Sequence, residues 1–532
     1  MNWPRLQWWI AAAVAAATLM LYARRLDQAP KYLTVDELLI GLAAHQVSAT
    51  GQDESGRVLP LYFQISPIAW YQPVAVYHEA LWLRLLPFGM TALRMASVFV
   101  GAINVGLLYL VGRRLFDNHA LALAASVLIA LSPAHFIHSR MAMDYIYVLP
   151  AEIAWLLGLL VYEQQRSARA LGLACLALGL GFYSYISAVI LMPAFFVITC
   201  CLLRVMRAPR RDYVVAAAGF GVPLIAAGLW LIAHPTALGD TLMRYGLYDA
   251  RRLSPLQSLR ALFSAATLRD RLPQYWDYLG PGMLFLDAPA ATLFTQRGFG
   301  MLLLPVFPLW LIGLYRIVVG PRLRIELVCL AGLVVVPIAA VLVNERYAVN
   351  RVLPLIPFVV LVATRGLQQL WSVSTAVARH RLRVAGTLVS LWLMMSVLRD
   401  FREFSAAYFE DYRRRSEELS PGNLPDVLDE VVALDREQPS PAIYLSAEIP
   451  DLVLYLKAAN LQYPEAGLPA KTTLFPIGGL SDVSIRPGSL VLATDRDAVT
   501  QATHPSLSLV TERRSTTPNL KSFAIFRRAE SR

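Results

Sequence analysis

The sequence predicts a polytopic α-helical membrane protein with a small α/β domain at its C-terminal end. Three observations carry that expectation. Apolar residues make up 57% of the 532 and charged residues only 16%, whereas soluble domains carry about 25% charge. The apolar residues fall in repeated runs such as 214–233 and 327–343, close to the ~20 residues a bilayer span requires. From about residue 400 the composition turns polar and short alternating segments replace the runs. A soluble enzyme, a disordered chain and a collagen-like fibre are excluded.

The first run, Trp8 to Tyr22, has a short basic start and no small-residue cleavage site before Arg24 and Arg25, so it reads as a retained anchor. Ten further spans are expected over Leu93 to Val111, Ala120 to His135, Tyr145 to Val161, Leu171 to Tyr183, Ile186 to Leu203, Val214 to Ala233, Gly300 to Val318, Leu327 to Val343, Val352 to Leu370 and Val384 to Leu398. The total is eleven. The segment Pro67 to Phe88 is apolar but contains Gln72, Pro73, His78, Glu79 and Arg84. If it does not cross, Arg113, Arg114, Arg204, Arg207, Arg210, Arg211, Arg322 and Arg379 all fall in inner loops, as the positive-inside bias demands. We therefore expect it to be re-entrant or interfacial, with Arg24 and Arg25 on the disfavoured side.

This topology gathers residues 24–92, 137–144, 234–299 and 344–351 outside the cytoplasm. The chain is expected to divide into a transmembrane domain, 1–400, and an extracytoplasmic α/β domain, 401–532. In the tail, Ala442 to Ser446, Ser489 to Ala493 and Ser522 to Arg527 read as strands, and Asp451 to Asn460 and Asp495 to Ala502 as helices. The net charge of +11 is spread between spans, so it signals orientation in a lipid bilayer and not nucleic-acid binding. The four cysteines lie inside apolar runs without paired spacing, which predicts neither disulfides nor a zinc site.

Thr34-Val35-Asp36-Glu37 opens a segment whose Val35, Leu38, Leu39 and Leu42 recur at helical spacing, expected as a helix on the outer membrane surface. Thr34 and Glu37 have the spacing of a capping box, and first-turn acids suit the helix dipole. That accounts for Glu37, but Asp36 points about 100° away and is not needed for the box; structural and catalytic readings both stand. Asp144 is a second carboxylate at an outer span end, readable as a helix cap or a partner of Arg140. In the loop 344–351, Arg346 and Arg351 flank Tyr347. Arginines at a span boundary are usually snorkelling anchors, and two with a tyrosine also suit a phosphate. His78 and Glu79 lack a second ligand motif, so no metal site is expected, and a divalent cofactor stays open. Tyr183, Tyr185, Trp70, Tyr71 and Trp276 read as interface-belt aromatics.

The runs Tyr32 to Glu37, Thr50 to Asp53 and Gly56 to Tyr62 resemble the first outer loop of GT-C glycosyltransferases related to protein O-mannosyltransferases and aminoarabinose lipid A transferases. Leu131 to Pro133 leading to Arg140 and Asp144, Gly179 to Tyr183, and Asn350 to Pro357 extend the resemblance over most of residues 1–400. It implies the GT-C fold and transfer of a sugar, with inversion, from a polyprenyl-phosphate carrier to a hydroxyl of a lipid, glycan or protein. It also implies that Asp36, of the Asp36-Glu37 pair, acts as base and that Asp144 is the second-loop acid. A lysine-Pro-Pro stretch of aminoarabinose transferases is replaced by Trp70 to Pro73, so that substrate does not carry over. The large loop domain of eukaryotic O-mannosyltransferases does not fit in 234–299, which weakens a protein acceptor. Chemistry agrees: the reaction needs a base for the acceptor proton and a cation for the departing phosphate, the latter suited to Arg351 with Arg346 or Arg140. A transporter or flippase of a lipid-linked glycan is the alternative. It predicts charges in mid-span, where the expected spans carry almost none.

Overall fold

The structure is a computed structural model that describes residues 5–529 apart from 67–68, 246–253, 255–256, 258–259, 262–263, 288–292, 321–322, 377–379, 420–421, 478, 483, 498, 500–502 and 518. Pro67, Arg322, Arg379 and the end of the helix expected at Asp495 to Ala502 lie outside the described residues. The chain divides into two compact units: Met1–Arg24, Thr50–His78 and Arg94–Ala407 form the first, and Arg25–Ala49, Glu79–Leu93 and Tyr408–Arg532 the second.

Apolar composition produces long helices, and Pro193 and Pro223 lie inside two of them. Among the described residues, Arg5–Ala23, Met90–Phe116, Asp144–Gln165, Ala188–Val205, Arg210–Ala233, Arg324–Leu342 and Val384–Glu418 are long and apolar enough to cross a membrane. His119–Ala130, Ala168–Gly181 and Val306–Val319 are shorter apolar helices, and Leu355–Ala376 is a further helix of 22 residues. Helix Arg210–Ala233 buries Asp212, Ala216, Phe220 and Ala227 and leaves Val214, Val222, Ile225, Leu229 and Ile232 exposed. An apolar outward face of this kind suits lipid, where the helix satisfies its own backbone.

Two expected spans are interrupted by proline. Ala120 to His135 splits into His119–Ala130 and Pro133–His138, because Pro133 has no N–H to continue the ladder; Ser132 Oγ instead donates to the Met301 carbonyl at 2.8 Å. Leu327 to Val343 likewise divides into Arg324–Val335 and Ile338–Leu342 around Pro337. The segment Pro67 to Phe88 carries β2 (Ala69–Tyr71), which pairs antiparallel with β1 (Phe63–Ser66) just before it, and then helix Pro73–Leu83 of 11 residues. At 1.5 Å per residue that helix is ~16 Å long, about half a bilayer core of ~30 Å.

The second unit holds a five-stranded sheet. Its strands are β3 (Ile443–Ser446), β4 (Thr472–Phe475), β5 (Leu490–Thr494), β6 (Leu507–Arg514) and β7 (Ser522–Arg528), in the order β4-β3-β5-β7-β6. β3 runs parallel to β4 and β5, and β7 antiparallel to β5 and β6. Alternation sorts the side chains. Ile443, Leu445, Leu490, Leu492, Phe523 and Ile525 pack with Leu424, Val427, Val431 and Leu452 from the helices Leu424–Glu437 and Leu452–Gln462. Tyr444, Val491, Ala493 and Phe526 pack on the other face with Phe475 and Ile485. The N-terminal segment is built into this unit: Leu38 belongs to the first cluster, Tyr455 Oη donates to the Leu33 carbonyl at 2.8 Å, and Tyr408 Oη to that of Ala29 at 2.8 Å.

Candidate functional site

In the second unit, helix Val35–Thr50 starts where Thr34 stops the preceding turn. The Thr34 N–H donates to Glu37 Oε2 at 2.9 Å and the Glu37 N–H to Thr34 Oγ1 at 3.1 Å, so the capping box forms as the spacing requires. Glu37 is thereby fully buried, whereas Asp36 is exposed. Leu38, Ile40, Leu42, Ala44 and Val47 are all covered by protein, so burial on this helix is not confined to one apolar stripe. Asp36 thus stands on a helix end fixed by the box, by Leu38 in the core and by the Tyr455 hydrogen bond.

In the first unit, the loop 342–351 is pinned by helix Ala265–Leu279. Arg271 Nη1 donates to the Leu342 carbonyl at 2.8 Å and Gln274 Nε2 to Asn344 Oδ1 at 2.7 Å. Tyr278 Oη donates to the Glu345 carbonyl and accepts from the Ala348 N–H at 3.1 Å; burial pushes this phenol up to about 12. Asn344 (φ 55°) and Tyr347 (φ 58°) take the left-handed region, a strained choice for a tyrosine that the surrounding bonds hold in place.

The pinned loop presents Asn350 and Arg351. Arg351 Nε meets Glu345 Oε2 at 2.5 Å, and its guanidinium carbon lies 5.1 Å from the Tyr245 ring centroid. Asn350 Nδ2 donates to Tyr185 Oη at 3.2 Å. Burial drives the Tyr185 phenol up, and it feels the charges of both Arg351 and Asp144. Asp144, 6% exposed, opens the 3₁₀ turn Asp144–Tyr147 that leads into helix Val148–Gln165. Asp144 and Arg351 are therefore brought to one tyrosine. Burial opposes the charge of Arg351, yet Tyr185 and Glu345 hold its proton affinity above the usual value. Arg346 is exposed and Tyr347 half-buried on the same loop.

Arg140 has a different employment. It is fully buried, and its Nη1 donates to the carbonyls of Tyr22 and, at 2.8 Å, of Arg24. A cation there neutralises the C-terminal end of helix Arg5–Ala23. Nearby, His138 stacks on Phe294 with centroids 5.6 Å apart. The residues that sequence reasoning missed are Tyr185, taken for a belt aromatic but 3% exposed, Glu345 and Tyr245. Arg351 and Glu345 are six residues apart, a spacing that belongs to no regular element, so nothing in the pattern announces their pairing. Among the described residues no group of three or more metal-ligating side chains gathers.

The apolar helical bundle has the fold of the GT-C membrane glycosyltransferases. Residues 71–232 match the sequence profile of the family described as dolichyl-phosphate-mannose-protein mannosyltransferase. Among solved structures, the chain is similar to ArnT from Cupriavidus metallidurans bound to undecaprenyl phosphate, with a TM-score of 0.54, 14% identity and coverage of 97% of both chains. The apo state of that protein matches with a TM-score of 0.53, 14% identity and the same coverage. The chain has no match among curated protein sequences.

Proposed function

We propose that the protein is an integral-membrane glycosyltransferase of the bacterial inner membrane. It moves a sugar, with inversion, from a polyprenyl-phosphate donor to a hydroxyl of an envelope lipid, glycan or protein on the extracytoplasmic face. The observation that carries this reading is the buried Arg351, oriented by Glu345 and stacked on Tyr245 beside Tyr185 and Asp144. A guanidinium so placed suits a phosphate leaving group, and the bound undecaprenyl phosphate of the structurally similar ArnT supports a polyprenyl carrier.

The acceptor oxygen attacks the anomeric carbon while the bond from that carbon to the phosphate oxygen breaks. The electron pair leaves with polyprenyl phosphate, whose charge Arg351 neutralises, with Arg346 and Tyr347 assisting from the same loop. Asp144 stabilises the positive character of the sugar ring, and the resemblance of the Asp36-Glu37 pair carries the role of base for the acceptor proton to Asp36. Glu37 holds the helix end that carries Asp36. Arg140 keeps the first helix in place, and its role in phosphate binding passes to the 344–351 loop.

Transfer from a polyprenyl-phosphate sugar by purified protein tests the assignment. Asp36→Asn is expected to slow transfer by about 10²–10⁴-fold, as for loss of a general base. Full activity in that variant removes the base assignment, and an unchanged rate in Arg351→Ala removes the phosphate role.

A further inference from the structure

Within the second unit, a cavity of about 400 Å³ opens among residues 27–33, 88–90 and the helices Leu424–Glu437 and Leu452–Gln462. None of the residues assigned to transfer lines it. Leu38, Phe88 and Tyr455 give it an apolar floor, and Asp27, Asp426 and Asp429 a carboxylate rim. Its volume lies in the ~300–1,000 Å³ range of small-molecule sites.

The rim is ordered in advance of any ligand. Tyr32 Oη donates to Asp426 Oδ2 at 2.6 Å, and Lys31 Nζ lies 3.4 Å from the same oxygen and 3.2 Å from Glu417 Oε1. Burial and this bond drive the Tyr32 phenol up, so it stays a donor. Lys31 and Arg413 are the cations of the lining, set against three carboxylates, and Lys31 is already shared between two acids. An anionic ligand would meet a surplus of its own charge. A ligand with an apolar face and a rim of hydroxyl donors meets complementary groups on both sides, because ionised carboxylates only accept. A sugar ring has that construction: C–H bonds on its face, hydroxyls around its edge.

We propose that this cavity binds an uncharged sugar ring. The proposal stands whether or not the protein transfers sugar, since it concerns binding without a donor. The test uses the full-length protein in detergent with methyl α-glucoside, methyl α-mannoside and maltotriose, each read by saturation-transfer NMR, with inorganic phosphate as competitor. The expected result is transfer to ring C–H protons of at least one sugar, insensitive to phosphate. Asp426→Asn should weaken binding about tenfold, as for loss of one charge-assisted hydrogen bond. Ala458→Trp, which fills the cavity from its lining without removing a charge, should abolish the signal in protein that remains folded by circular dichroism. It decides the matter if Asp426→Asn fails to fold. Transfer to none of the three sugars, a signal that persists in Ala458→Trp, or displacement by phosphate overturns the proposal.

Discussion

Asp36 and Glu37 are neighbours that a helix turns in different directions, and their chemistry separates accordingly. Glu37 closes the box with Thr34 inside the protein, so Glu37→Ala should cost about 1–2 kcal/mol, read as a lowered melting temperature. Asp36→Ala, at an exposed position, should stay within about 0.5 kcal/mol of wild type while losing transfer. Glu345 occupies one edge of the Arg351 fork at 2.5 Å. Glu345→Gln removes that competing charge, and titration with polyprenyl phosphate should show tighter binding than wild type. His138, which lies between spans, is driven down to about 4 by burial and is therefore neutral at pH 7. The unfolded chain takes up this proton near the ordinary histidine value of about 6.5, before the folded chain does. Stability should fall as pH drops from 6.5 toward 4, and His138→Phe should flatten that slope in pH-dependent melting. The box was legible in the spacing of Thr34 and Glu37. The uses of Arg140 and Tyr185 were not, since both depend on partners more than a hundred residues away.

At the scale of elements, periodicity identified what is buried and missed what is exposed. The strands expected over Ala442 to Ser446, Ser489 to Ala493 and Ser522 to Arg527 match β3, β5 and β7 within about a residue at each end, and these are the interior strands of the sheet. β4 and β6 went unread because they are its edges, with largely exposed side chains that follow no apolar alternation. Long spans were visible as apolar runs, but proline divided two of them. Helices Val306–Val319 and Leu355–Ala376 cross at a glycine pair. A Cβ on Gly313 would stand 1.9 Å from the Val362 carbonyl oxygen, and one on Gly366 1.9 Å from that of Leu309. Since both obstacles are backbone, Gly313→Ala should cost at least the ~1–3 kcal/mol of core overpacking, measured as thermal unfolding in detergent.

For the whole molecule, the sequence suggested a border at residue 400, whereas the second unit also takes in Arg25–Ala49 and Glu79–Leu93. Composition marks where polarity changes but carries no signal for Leu38 packing with Leu424, Val427 and Leu452. A chain cut after residue 400 keeps the apolar helices of the first unit and loses the core that covers Leu38. Limited proteolysis should then cleave within 25–49, and transfer should vanish although Asp36 is still present. The same arrangement has a consequence for biogenesis. Residues 25–49 leave the ribosome well before the sheet that completes their surroundings, within residues 443–528, is synthesised. At ~5–20 residues per second the interval is on the order of a minute. Throughout that time the Asp36 segment is an unprotected stretch of nascent chain, and its surroundings are complete only when β7, Ser522–Arg528, has emerged.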